Sequence, residues 1–132
     1  MRQTIACLLL LIVGTSAADK DLAGAYSGEW KSAASGNGGA IRFTLKALPG
    51  SGWKSVLTFA LDGADVPTTM REVKLRDGKL ELSYDFEVQG VTARSNVKGE
   101  WNGTEFRGQY ETSTADGSQS VDSGTWSAKP KK

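Results

Sequence analysis

The residues that could do chemistry are few, and the commonest catalytic types are missing. Of 132 residues none is histidine, and the single cysteine, Cys7, lies in the first dozen. The usual general base and the thiol nucleophile are therefore absent from everything that follows. Carboxylates remain, and a pair of them could in principle do glycosidase work. Glu81, Asp85 and Glu87 alternate with Leu82, Tyr84, Phe86 and Val88, which places them on the outer face of a strand rather than in a cleft. Asp62 and Asp65 offer two carboxylates, short of the roughly 6–8 oxygen ligands that Ca²⁺ takes. Ser35-Gly36-Asn37-Gly38-Gly39 has phosphate-loop glycines without the lysine or the following helix. Asn102-Gly103-Thr104 matches a glycosylation acceptor, which matters only in a eukaryotic secretory host. The expectation is a non-enzymatic protein with no cofactor and no metal.

The elements that must position these residues begin with an export signal. Arg2 is followed by an apolar run from Ile5 to Val13, then by the small residues Gly14-Thr15-Ser16-Ala17-Ala18 before Asp19. This is the order of a cleaved signal peptide. The run is well short of the roughly 20 residues that span a bilayer, and Cys7 sits too early to be a lipidated cleavage-site cysteine. The expected organisation is a signal peptide over 1–18, a domain over 19–128 and a basic tail over 129–132, in a secreted or periplasmic protein with no membrane span. Loss of Arg2 takes Lys plus Arg from 16 to 15, equal to the 15 Asp plus Glu. A neutral domain carries no electrostatic footprint for nucleic acid. Without cysteine the expected domain must be held by its core alone.

Past residue 22 apolar residues alternate with period two and helical periodicity is absent. Ile41, Phe43, Leu45 and Ala47 share one face, with Arg42, Thr44 and Lys46 on the other. The Asp77-Gly78 hairpin signal sets Leu75 opposite Leu80, Val73 opposite Leu82 and Lys74 opposite Glu81. A turn at Gln89-Gly90 sets Val88 opposite Val91, Phe86 opposite Ala93 and Leu82 opposite Val97. It also sets Asp85 opposite Arg94 and Glu81 opposite Lys98, so opposite charges meet outside while apolar residues meet inside. A two-residue turn at Asn102-Gly103 sets Trp101 opposite Thr104 and Gly99 opposite Phe106. A three-residue loop with Gly117 left-handed sets Phe106 opposite Trp126 and Tyr110 opposite Asp122. Met70 and Val73 share a face only if a bulge lies near Arg71-Glu72.

The pattern yields strands near 23–33, 39–48, 53–62, 66–76, 79–88, 91–101, 104–114 and 118–128. Eight consecutive strands, each apolar on one face, are best closed into a single antiparallel up-and-down (meander) β-barrel of the all-β class, which removes the edges. A two-sheet sandwich is the alternative closure. Trp53, Leu75, Leu80, Trp101, Phe106 and Trp126 fall near the tight turns and form a plug. At the other end the inward residues are mixed, and they give the candidate ligand-binding set: Trp30, Phe59, Met70, Tyr84, Phe86, Ser95, Tyr110 and Asp122, with Thr112 beside them. Apolar walls with a few convergent polar groups are what small-molecule pockets look like.

Gly28-Glu29-Trp30, Gly99-Glu100-Trp101 and Gly124-Thr125-Trp126, together with the signal-peptide-plus-meander layout, make the chain resemble the lipocalin and avidin-like barrels, the calycins. The resemblance is one of architecture. It implies a barrel that binds a small apolar or amphipathic molecule and transfers no particular ligand. The expected function is thus a carrier or sensor of such a ligand in the barrel mouth. The alternative is a protein-interaction or structural module with a solid core, a periplasmic enzyme inhibitor for example, whose partner is another protein. One continuous space of about 300 Å³ or more at the glycine-rich end decides for the carrier.

Overall fold

The computed structural model describes residues 19–50 and 52–131; the expected signal peptide lies outside them. A short helical turn at 19–21 precedes ten strands. They are β1 (Gly24–Ser32), β2 (Gly38–Ala47), β3 (Trp53–Lys54), β4 (Leu57–Leu61) and β5 (Ala64–Pro67), then β6 (Thr69–Arg76), β7 (Lys79–Val88), β8 (Val91–Trp101), β9 (Phe106–Thr114) and β10 (Ser120–Pro130). All pairings are antiparallel, in the order β5-β4-β2-β1-β10-β9-β8-β7-β6, with β3 also against β2. The first strand pairs with the last, and the two edge strands, β5 and β6, are consecutive in the chain. The result is a nearly closed meander barrel, the architecture that the calycin resemblance implies.

Ten strands replace the expected eight because the third and fourth are each broken. In the third, the Thr44 side chain rather than a backbone carbonyl accepts the Val56 N–H, at 3.2 Å. This interrupts the ladder between β3 and β4. In the fourth, β5 pairs with β4 as far as Pro67, which has no N–H to donate. Beyond Thr68 the chain leaves β4, and β6 pairs with β7 alone. Thr68 Oγ1 donates to the Leu57 carbonyl at 2.6 Å and ties the two sides of this seam.

The register of the central hairpins follows the charge and apolar pattern. Leu75 faces Leu80, Leu82 faces Val97, Asp85 faces Arg94 and Phe86 faces Ala93. The ladder shifts between Met70 and Glu72, where alternation required a bulge. Two later turns differ from expectation. Asn102 Oδ1 accepts from the amides of Thr104 and Glu105, each at 3.0 Å, so the loop takes four residues and Trp101 faces Phe106. The β9–β10 loop is likewise longer, held by Asp116, whose Oδ1 accepts from Thr114 Oγ1 and the Ser118 amide. Both slips are by two residues, so every side chain keeps its face. Phe106 meets Ala128, and Asp122 meets Thr112 rather than Tyr110. At the C-terminus Lys129 and Pro130 pair with Ser27 and Tyr26, so half of the expected tail belongs to β10.

One end of the barrel is solid. Phe43, Leu45, Leu80 and Phe106 are buried there, and Tyr26 stacks on Phe43 at 5.1 Å with its edge toward Phe106. Of the expected plug, Trp53 and Trp101 are only partly buried. The stopper comes instead from the start of the domain. Leu22 is buried and its carbonyl accepts from the Tyr26 hydroxyl at 2.7 Å. Asp19 accepts the backbone N–H groups of Asp77 and Gly78, both at 2.8 Å. Those residues turn left-handed, with φ of 54° and 76°, and present their amides as a small anion-binding concavity. Among the described residues no helix is long and apolar enough to cross a membrane.

Candidate functional site

Two of the three Gly-x-Trp tryptophans, Trp126 and Trp30, build the middle of the barrel. Trp126 lies across Gly99, where a Cβ would stand 2.5 Å from its ring, and its indole N–H donates to the Lys98 carbonyl at 3.1 Å. Glycine at 99 leaves room for that ring. Trp30 is anchored similarly: its N–H donates to the Ala60 carbonyl at 3.0 Å, and its ring meets Phe59 and Tyr110 edge-on. Both indoles bury their apolar bodies with the one polar atom satisfied.

Above Trp126 and below the loops lies a cavity of about 140 Å³. Trp126, Ile41 and Val97 form its floor, while Trp30, Phe59 and Phe86 form its walls. Leu61, Val88 and the exposed Val121 stand at the rim. Of the eight residues that the sequence singles out, seven line this space: Trp30, Phe59, Tyr84, Phe86, Ser95, Tyr110 and Asp122. Met70 does not; it pairs with Tyr84 at the bulge and packs partly buried against the core. Trp126, expected in the plug, packs there on Phe43 and Phe106 and also lines the floor of the cavity. The longer β9–β10 loop sets it opposite Gly108 rather than Phe106.

Inside the apolar walls runs a band of polar side chains that follows the register from strand to strand. Tyr84 faces Ser95, Ser95 faces Thr112, and Thr112 faces Asp122. Ser95 and Thr112 share a hydrogen bond at 2.5 Å. Asp122 accepts from Ser32 Oγ at 2.7 Å and, diagonally, from the Tyr110 hydroxyl at 2.9 Å. Burial pushes the Tyr84 phenol up to about 12, slightly offset by the Ser95 hydroxyl beside it. Burial also raises Tyr110, and the Asp122 carboxylate that receives its proton raises it further. Both phenols stay neutral across the physiological range, and the Asp122 carboxyl accepts from two O–H donors of the band.

Comparison with family models, with curated proteins and with solved structures finds no match in any of the three.

The geometry of the mouth is therefore the guide to what it does. Among the described residues no group of three or more potential metal ligands comes together. Asp85 lies outside the barrel, bidentate with Arg94 at 2.7 and 3.1 Å and within 3.5 Å of Arg71. The Arg94 bond holds its carboxyl below the usual carboxylate range. Asp65 pairs with Arg42 on the exposed side of β5. These carboxylates hold strand register. The sequence does not single out the rim valines and Ile41, because they look like any strand residue; it names the band residues except Ser32, but their connection needs the register of four successive strands at once.

Proposed function

We propose that the domain is a non-enzymatic binding protein, secreted or periplasmic, whose barrel mouth takes one apolar group about the size of a single ring. The observation that carries this is the apolar cavity of about 140 Å³ at the loop end of an otherwise solid barrel. An engineered apolar cavity of about 150 Å³ stays dry and takes up benzene. The volume is below the roughly 300 Å³ that decides for a carrier, so a pocket that engulfs a drug-sized ligand is not what the mouth offers. The occupant is thus a one-ring molecule or the end of a longer one, rather than a lipid held whole.

The same volume, with Val91 and Val121 exposed near the rim, favours a second reading, in which the inserted group is an apolar side chain of a protein partner. Both readings need the cavity to accept an apolar group. Titration with benzene, followed by amide shifts at Ile41 and Val97 and by Trp fluorescence, should show saturable binding. Val121→Trp, which adds bulk at the exposed rim without touching the core, should weaken it severalfold. Shifts that never saturate, or that Val121→Trp leaves untouched, would remove the carrier reading.

A further inference from the structure

The walls and the mouth of the cavity favour one sign of charge. Six aromatic rings line the space, those of Trp30, Phe59, Tyr84, Phe86, Tyr110 and Trp126, and no lysine or arginine does. The rings stand at steep angles to one another: Trp30 meets Phe59 at 86° and Tyr110 at 88°, and Phe59 meets Phe86 at 80°. Both indole N–H groups are turned onto backbone carbonyls, those of Ala60 and Lys98. Asp122 lines the same space and forms no salt bridge among the described residues. A carboxylate has about four lone-pair sites, and Ser32 and Tyr110 occupy one on each oxygen. The four loops around the mouth, 33–37, 62–63, 89–90 and 115–119, carry Asp62 and Asp116 and no lysine or arginine. Lys31 is exposed to water, while Arg42 is paired with Asp65, and Arg71 and Arg94 with Asp85.

Resting on the pocket reading above, we infer that the group taken by the mouth is an organic cation with a small alkylated head, of the trimethylammonium kind, seated among the rings with its charge toward Asp122. The faces of aromatic rings attract such a head, most strongly where water is excluded. Its methyl groups present apolar surface to the walls, so the fit remains that of an apolar group of one-ring size. A charge enters an apolar site at a high cost unless a counter-charge meets it there, and Asp122 is that counter-charge. Asp62 and Asp116 at the loops add attraction over a longer range. An anion meets the opposite: no cationic side chain, and a carboxylate already in place.

Choline has a neutral carbon isostere, the alcohol with a tert-butyl group in place of the trimethylammonium head. Followed by Trp fluorescence, choline should bind the native protein about tenfold more tightly than the alcohol. Ring currents should move the methyl proton resonance of bound choline upfield, a readout independent of affinity. Asp122→Asn leaves the rings alone to prefer choline and should bring the two affinities within about threefold of each other. Asp62 turns left-handed, with φ of 52°, a conformation that asparagine also adopts. Asp62→Asn should therefore keep the turn and weaken choline about twofold at low salt, with no effect at high salt. An Asp122→Asn protein that does not fold leaves the test to Asp62→Asn and to the two probes on the native protein. Choline binding no tighter than the alcohol, with benzene still taken up, overturns the cation inference and leaves the pocket standing. A preference for choline that both substitutions leave intact overturns it too, because the carboxylates then play no part. Failure of choline, the alcohol and benzene alike overturns the pocket itself, and this inference with it.

Discussion

Phe106 and Trp101 face each other across the closed end of the barrel, 5.2 Å apart, yet they carry different loads. Phe106 is fully buried between Tyr26, Phe43 and Trp126, while Trp101 is partly open. Phe106→Ala should therefore cost about 3–5 kcal/mol, much of the stability of a domain this size, and Trp101→Ala clearly less. Urea unfolding of the two variants measures this; equal losses would mean that Trp101 is the true plug. Alternation alone could not separate them, because it places both inward, and only their packing in the fold shows which ring is covered. Asp116 gives a test of a different kind. Thr114 Oγ1 and the Ser118 amide and hydroxyl bond its carboxylate and lower it from 3.8 to about 2. A depressed carboxyl supports the loop fully above its ordinary value, and that support fades as pH falls toward 2. The Ser118 amide resonance should follow this titration with a midpoint near 2. A midpoint near 4 would mean that the loop does not hold Asp116 in solution.

The strands were the most legible level, because charges and apolar residues had to agree on one register. Asp85 and Arg94 meet outside while Phe86 and Ala93 meet inside, and no other closure of that hairpin satisfies both. Exchanging the residues at 85 and 94 should leave the fold intact, whereas Leu82→Asp buries an unpaired carboxylate and should unfold it. Circular dichroism of the two variants would show the difference; equal tolerance would mean that the faces are reversed. The turns were less legible, since an Asn-Gly pair looks like a two-residue hairpin until the Asn102 side chain takes the amides of a longer loop. Least legible was the segment before β1. Nothing in the residue types at 19–22 announces that Asp19 reaches the turn at Asp77-Gly78, 58 and 59 residues away. Hydrogen bonds to a charged partner are worth about 1.5–3 kcal/mol. Asp19→Ala should lower stability by roughly that amount and speed exchange of the Gly78 amide. An unchanged Gly78 exchange rate would show that the turn does not need this tether.

At the scale of the whole molecule, about a hundred residues have to coil into a barrel narrow enough to fill one half with side chains. Strands that coil this tightly press backbone on backbone. Gly108 marks such a contact: a Cβ there would drive into the Lys98 carbonyl and stand 2.5 Å from the Gly99 Cα, both backbone atoms of β8. The sequence shows Gly99, Gly108 and Gly124 as interruptions in otherwise good strands. Their purpose appears only with the correct pairing, in which Gly99 and Gly108 sit directly opposite each other. A Cβ at Gly99 would first displace the Trp126 ring, whereas Gly108 cannot be replaced without moving β8 away from β9, and that movement would tilt Ser95 and Thr112, which belong to the same two strands. Gly52, in the turn before β3, is the natural control. A Cβ there meets only the Leu48 side chain, at 3.6 Å or more, an ordinary contact. Gly108→Ala should therefore cost about 1–3 kcal/mol, as overpacking does. It should also shift the resonances of Ser95 and Thr112 and weaken benzene uptake. Gly52→Ala should change stability by no more than about 0.5 kcal/mol and leave the mouth as it was. Urea midpoints and benzene titrations on the two proteins settle the matter. A Gly108→Ala protein as stable as Gly52→Ala, with native affinity for benzene, would mean that the strands have slack at that crossing and that the mouth is shaped locally, by its own side chains.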